Sequence, residues 1–188
     1  MARKRRKKKI FKSVMSLLVL IVVAGYQLLY GQGEVEKGER FEVTLSKTVD
    51  GDTAWFLVDG QDTKVRFLYI DTPESTNEIE PYGKEASEFV AQKLTQAQKI
   101  ELELNSDGDQ YDKYDRMLAW VFIDGKLLQE EIAREGYCKK FYDYGYQYTY
   151  KEDIIKADEQ AREEKKGIYS TEKDTEVSFL TNLLFLIF

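Results

Sequence analysis

An α+β domain, with five strands closed into a β-barrel of OB type and decorated by three helices, preceded by one N-terminal transmembrane helix, is the architecture that the sequence predicts. Three observations carry it. Five short segments of strand-type alternation are separated by turns rich in Asp and Gly; three other segments place apolar residues at helical spacing; and the uncharged stretch Val14 to Tyr30 follows a basic block.

Residues 1–12 form a basic leader with eight of the 28 Lys and Arg. The 17 uncharged residues after Ser13 are just enough for a bilayer helix, which needs roughly 17–25. Residues 13–30 are therefore expected to be a signal-anchor in the cell membrane, single-pass, with a cytoplasmic N-terminus and the remainder outside. Cleavage near Ala24, releasing a secreted domain, is the alternative. Residues 31–39 read as a flexible linker.

Phe41, Val43 and Leu45 then alternate with polar residues, Asp50-Gly51-Asp52 turns, and Thr53 to Val58 is extended. Asp59-Gly60 is a hairpin signal leading into the apolar run Val65 to Ile70. Tyr82, Ala86, Phe89, Val90 and Leu94 share one helical face. Ile100 to Leu104 and Met117 to Ile123 are the last strands; the acid-rich turn between them, 107–112, does not fit an EF-hand and reads as a solvated hairpin. Leu127 to Glu135 is a short helix ended by Gly136, and Tyr150 to Lys166 a longer one ended by Gly167. The domain spans 40–171, and the tail 172–188 has an apolar end too short to cross a core of ~30 Å.

Composition narrows the chemistry. Histidine is absent, which removes Ser-His and Cys-His mechanisms and the commonest metal ligand; the single cysteine, Cys138, excludes an intrachain disulfide and thiolate metal clusters. Beyond the leader, 20 Lys and Arg face 34 Asp and Glu, a balance of −14. Phosphate binding draws its affinity from clustered cations, so any nucleic-acid site must be local or metal-assisted.

Individually, the chemical residues read two ways. Asp52 and Asp71 are turn formers at strand ends, or oxygen ligands converging on a hard cation. Arg66, on a strand face shared with Leu68 and Ile70, either pairs with a buried acid or reaches a ligand pocket. Arg116 is a solvated charge after a hairpin, or a phosphate ligand. Glu74, held by Pro73, is a loop cap or a positioned base. The tyrosines from Tyr137 to Tyr150 form a packing segment or a stacking wall.

Four fragments occur in order: Val49-Asp50-Gly51-Asp52-Thr53, Val65-Arg66-Phe67-Leu68-Tyr69-Ile70-Asp71-Thr72-Pro73-Glu74, Tyr82-Gly83-Lys84-Glu85-Ala86 and Asp112-Lys113-Tyr114-Asp115-Arg116. With Gly167-Ile168-Tyr169-Ser170 at the end, the chain resembles the staphylococcal nuclease family from about Phe41 to Ser170. The resemblance implies that Asp52, Asp71 and the Thr72 carbonyl hold Ca2+. Two carboxylates imply weak binding, in the ~10⁻⁴ to 10⁻³ M range of extracellular modules. It further implies that Arg66 and Arg116 grip the scissile phosphate, that Glu74 is the general base, that Lys113 and Tyr114 contact a terminal phosphate, and that Tyr142 and Tyr144 line a nucleotide pocket. Asp115 departs from the family's usual glycine, and Glu78 to Glu80 makes the loop after Glu74 acidic; both are expected to weaken polyanion binding.

The expected function is a calcium-dependent extracellular or surface nuclease: a monomer without a protein partner, attached to the membrane by its N-terminal helix, cutting DNA and RNA to leave 3′-phosphate ends. Its rivals are a non-catalytic OB-fold module binding single-stranded nucleic acid and a surface protein whose acidic face binds a basic partner.

Overall fold

A computed structural model of the chain describes residues 15–22, 37–76 and 79–170. The basic leader, most of the expected anchor and linker, Glu78 and the tail lie outside the described residues. The chain separates into two units, Met1–Glu34 and Val35–Phe188. In the first, residues 15–22 form helix α1, on which Met15 and the apolar residues from Leu17 to Val22 are exposed. No described helix is long and apolar enough to cross a membrane. The eight residues of α1 rise only about 12 Å, so the expected transmembrane helix does not appear among the described residues. These hold four α-helices, where three were expected beside a membrane-spanning one.

The second unit runs β1 (Arg40–Thr48), β2 (Thr53–Val58), β3 (Gln61–Phe67), β4 (Ile70–Asp71), α2 (Gly83–Gln96), β5 (Ile100–Glu103), β6 (Met117–Ile123), β7 (Lys126–Leu127), α3 (Leu128–Arg134), β8 (Lys140–Phe141), α4 (Lys151–Glu163) and a 3-10 turn, Gly167–Tyr169. Strands β3-β2-β1-β5-β6 are antiparallel neighbours, and a parallel pairing of β3 with β6, Val65 opposite Met117 and Phe67 opposite Ala119, closes them into the five-stranded barrel. Strand β1 serves both halves: Arg40 to Val43 pair with β5 and Thr44 to Thr48 with β2, with a bulge between Leu45 and Lys47. Such a bulge bends the strand as closure requires. Inward alternation fills the barrel with Ala54, Phe56, Val65, Phe67, Leu102 and Val121, all buried.

Helices α2, α3 and α4 cover this barrel. Helix α2 buries Gly83, Ala86, Val90 and Leu94 at helical spacing, and α4 buries Ile154, Ala157 and Ala161 against α3. The 3-10 turn docks where the Ile168 N–H donates to Gly136 O at 2.9 Å.

Two sequence readings need correction. The run Val65 to Ile70 is not one strand: β3 stops at Phe67, and Tyr69 adopts φ +75°. A left-handed conformation costs roughly 1–2 kcal/mol for a residue with a Cβ. It is held by burial of the Tyr69 ring against Phe141 and Tyr148, with centroids 5.4 and 5.0 Å away. Arg66 therefore shares no continuous strand face with Leu68 and Ile70; the chain turns back to pair β4 with β8. Nor is 107–112 merely a solvated hairpin. Asp107 accepts the N–H groups of Gly108 and Gln147, both at 2.9 Å, and Tyr111 bridges to Met117.

Candidate active site

The turn before β2, the end of β3, β4, the 107–116 turn and the 142–148 segment enclose an open cleft of about 690 Å³. Nine of the ten site residues read from the sequence line it: Asp52, Arg66, Asp71, Glu74 and Arg116 at its charged end, with Lys113, Tyr114, Tyr142 and Tyr144 along its rim. Thr72 does not line it.

Asp52 is fixed from several sides. Its Oδ2 accepts the Thr72 N–H at 2.9 Å and the Thr72 hydroxyl at 3.2 Å, and its Oδ1 accepts the Thr53 hydroxyl at 3.0 Å. The preceding turn packs tightly on this arrangement, since a Cβ built on Gly51 would lie 2.5 Å from Thr72 Oγ1. The visible role of Thr72 is thus to orient Asp52.

Arg66 both pairs with acids and faces the cleft, so the two readings are not exclusive. Its Nη2 lies 3.1 Å from Asp52 Oδ2 and 2.9 Å from Asp71 Oδ1, while Nη1 donates to Phe67 O at 3.1 Å and Ile70 O at 2.8 Å. The turn at Tyr69 brings the Ile70 carbonyl and Asp71 round to the guanidinium. Burial, more than any neighbouring charge, pushes the Asp71 carboxyl above its ordinary range. Asp50, unremarked in the sequence beyond its turn, also lines the cleft; burial first, and then the charge of Asp52, raise it to about 6.

Glu74 is exposed at the cleft mouth beside buried Thr72 and Pro73. Its N–H donates to Glu80 Oε2 at 2.8 Å, and its carbonyl accepts the Glu80 N–H at 2.9 Å. Lys139 Nζ reaches the same Glu80 oxygen at 2.6 Å and lies 3.7 Å from Asp71 Oδ2. The Lys139 ammonium and the Glu74 N–H hold the Glu80 carboxyl below its usual value. Glu80, read from the sequence as a repulsive acid, is instead neutralised by a partner 59 residues away.

Arg116 is not a solvated charge either. Asp112 Oδ2 accepts its Nε at 2.7 Å and lies 2.6 Å from its Nη2, while Asp112 Oδ1 accepts the Tyr114 and Arg116 N–H groups. Asp115, in the position of the expected glycine, has φ +62°, a conformation that Asp tolerates better than most residues. The Tyr114 ring carries Lys113 Nζ at 4.9 Å and Arg116 Cζ at 5.4 Å, and Tyr142 and Tyr144 stack at 6.0 Å with a 4° interplanar angle. Cys138 is buried, and burial drives its thiol well above the ordinary value, which makes it a poor nucleophile.

Seven acids (Asp50, Asp52, Asp71, Glu74, Asp107, Asp109, Asp112) face three cations (Arg66, Lys113, Arg116) in the cleft. A polyanion meets net repulsion there unless a cation joins it. The donor chemistry fits a hard divalent ion: Asp52 and Asp71 offer oxygens only, and both converge on one positive point, presently Arg66 Nη2. Among the described residues no group of three or more Asp, Glu, His or Cys side chains forms a metal cage, so such a site would be open and completed by backbone carbonyl and water.

The family model described as staphylococcal nuclease homologue matches residues 64–171. The chain is 39% identical over 135 residues to the SPbeta prophage-derived endonuclease YokF of Bacillus subtilis (strain 168), covering 70% of this chain and 45% of that protein. It is 36% identical over 131 residues to endonuclease YncB of the same organism, covering 68% and 61% respectively. The chain thus spans about half the length of these two relatives. It is also 36% identical over 166 residues to the thermonuclease of Staphylococcus hyicus, covering 81% of this chain and 95% of that one.

Proposed function

The chain belongs to the staphylococcal nuclease homologues, and from that premise we propose that it is an endonuclease that hydrolyses phosphodiester bonds of DNA and RNA with the help of calcium, leaving 3′-phosphate ends. The observation that carries the reading is the meeting of Arg66, Asp71, Glu74 and Arg116 with Asp52 in one open cleft, although they span 65 positions of sequence.

Glu74 is the general base, taking a proton from a water that attacks phosphorus. The 5′ oxygen leaves opposite the incoming water and takes up a proton from solvent. Arg66 is anchored through Nη1 on two backbone carbonyls, so its Nη2 can exchange a carboxylate for a phosphate oxygen without losing aim. Arg116 is oriented by Asp112 and donates to the same developing charge. Asp52, Asp71 and the Thr72 carbonyl would hold calcium, which when bound offsets the acidic cleft and polarises the phosphate. Tyr142 and Tyr144 offer aromatic faces to a base, each stack being worth about 1–3 kcal/mol. Lys113 and Tyr114 meet a terminal phosphate.

We also infer that the domain works outside the cell, tethered by residues 13–30 or released by cleavage near Ala24; the basic leader before an uncharged stretch supports this. Fractionation of cells and accessibility of the domain to external protease test it.

Digestion of single- and double-stranded DNA in millimolar calcium, and then with a chelator, tests the chemistry. Glu74→Gln should keep the fold and lower kcat by about 10² to 10⁴. Activity within threefold of wild type, or binding without cleavage by the wild-type protein, would refute the assignment, and the latter would favour a nucleic-acid-binding module.

A further inference from the structure

We propose that Glu80 and Lys139 are positioning residues for the cleavage reaction, forming a strap that fixes the backbone of Glu74 and links it to Asp71. The inference rests on the proposed nuclease chemistry and adds to it two residues that contact no substrate.

Glu74 and Glu80 are joined by a reciprocal pair of bonds, Glu74 N–H to Glu80 Oε2 at 2.8 Å and Glu80 N–H to Glu74 O at 2.9 Å. The same Oε2 accepts Lys139 Nζ at 2.6 Å. Lys139 sits immediately before β8, its own N–H donates to Asp71 O at 2.8 Å, and its ammonium is 3.7 Å from Asp71 Oδ2. The Gly83 N–H donates to Glu80 O at 2.9 Å, so the start of α2 holds Glu80 in turn. Three separate parts of the chain thereby fix one main-chain segment beside the cleft.

The strap is too exposed to matter much to stability: the Glu80 and Lys139 side chains are 39% and 34% accessible, and pairs of that kind contribute little to folding. Its importance is geometric. Glu74 is exposed and follows Pro73, so the direction of its carboxylate depends on the peptide from which it springs. Displacing a reacting group by about 1 Å costs on the order of 10²-fold in rate. Glu80 acts through its acceptor oxygen on the Glu74 N–H, and Lys139 acts by holding that oxygen.

The experiment is a double-mutant cycle on the full chain. Glu80→Ala should lower kcat by about 10²-fold with KM changed less than about twofold. Glu80→Gln keeps an oxygen for the Glu74 N–H and should recover roughly tenfold of the loss, while Lys139→Met should fall between them. In a Glu74→Gln background, Glu80→Ala should cost less than about threefold more, because no base remains to be misplaced. Melting temperatures check that each variant folds. The strap is overturned if Glu80→Ala retains wild-type kcat, or if its effect is as large without Glu74 as with it. Should Glu74→Gln itself retain full activity, the assignment of the base fails and the strap falls with it; inactivation by Glu74→Gln without an effect of Glu80→Ala removes the strap alone.

Discussion

Gly83→Ala separates the positioning of Glu74 from the stability of the fold. Gly83 opens α2, and a Cβ built there would land on the Glu74 carbonyl oxygen, 2.7 Å from the carbonyl carbon and 3.2 Å from Pro73 O. Carbon atoms settle at ~3.5–4.0 Å, so the 73–74 backbone must retreat by roughly 1 Å. Two stability terms oppose each other: alanine gains about 1 kcal/mol over glycine in a helix, whereas overpacking costs about 1–3 kcal/mol. The net loss of about 0–2 kcal/mol lowers Tm by no more than roughly 8 °C. The same displacement should reduce kcat about 10²-fold, or ~2.7 kcal/mol of barrier, with KM little changed because the tyrosine rim is untouched. Steady-state kinetics on a DNA duplex, with calorimetry on the same sample, measure both. Wild-type kcat in a folded Gly83→Ala protein would refute the argument that this close approach sets the position of Glu74.

Two further perturbations probe other parts of the structure. Arg66→Met leaves the Asp52 and Asp71 carboxylates without their shared partner and should cost about 3–5 kcal/mol in a chelator. Millimolar calcium should restore part of this by mass action, and equal denaturation midpoints in the two solutions would contradict the idea that a cation can replace the guanidinium. Tyr169 donates to both Asp158 oxygens at 2.9 Å, and burial, followed by that bond, pushes its pKa up to about 12. A raised folded-state pKa stabilises the protein fully below the unfolded value near 10 and is lost as pH rises toward 12. Wild type should therefore lose about 1–2 kcal/mol more than Tyr169→Phe across that window, after discounting for partial exposure. Parallel stability curves would refute the coupling.

Much of the barrel was legible because its elements are local. The Asp59-Gly60 and Asp124-Gly125 turns have positive φ at both residues, as a two-residue hairpin requires, and the apolar spacing in 82–94 and 154–161 matches the buried faces of α2 and α4. The break after Phe67 was not legible, since Leu68-Tyr69-Ile70 continues an apolar run; the turn is stabilised by tertiary contacts, the packing of Tyr69 on Phe141 and Tyr148 and the bonds from Arg66 to the Phe67 and Ile70 carbonyls. Strands β4 and β8, of two residues each, are too short to carry a period.

The site divides in the same way. By itself the sequence determined which chemistry was available: no histidine, carboxylates at Asp52, Asp71 and Glu74, guanidinia at Arg66 and Arg116, and an aromatic segment to follow. It could not assign partners. That Arg66 bridges Asp52 and Asp71, that Asp112 aims Arg116, and that Glu80 joins Lys139 rather than repelling substrate were decided only by the tertiary structure. A charge acts through its distance to other charges and through its solvation, and for residues as far apart in sequence as Glu80 and Lys139 the tertiary fold, here the pairing of β4 with β8, sets both.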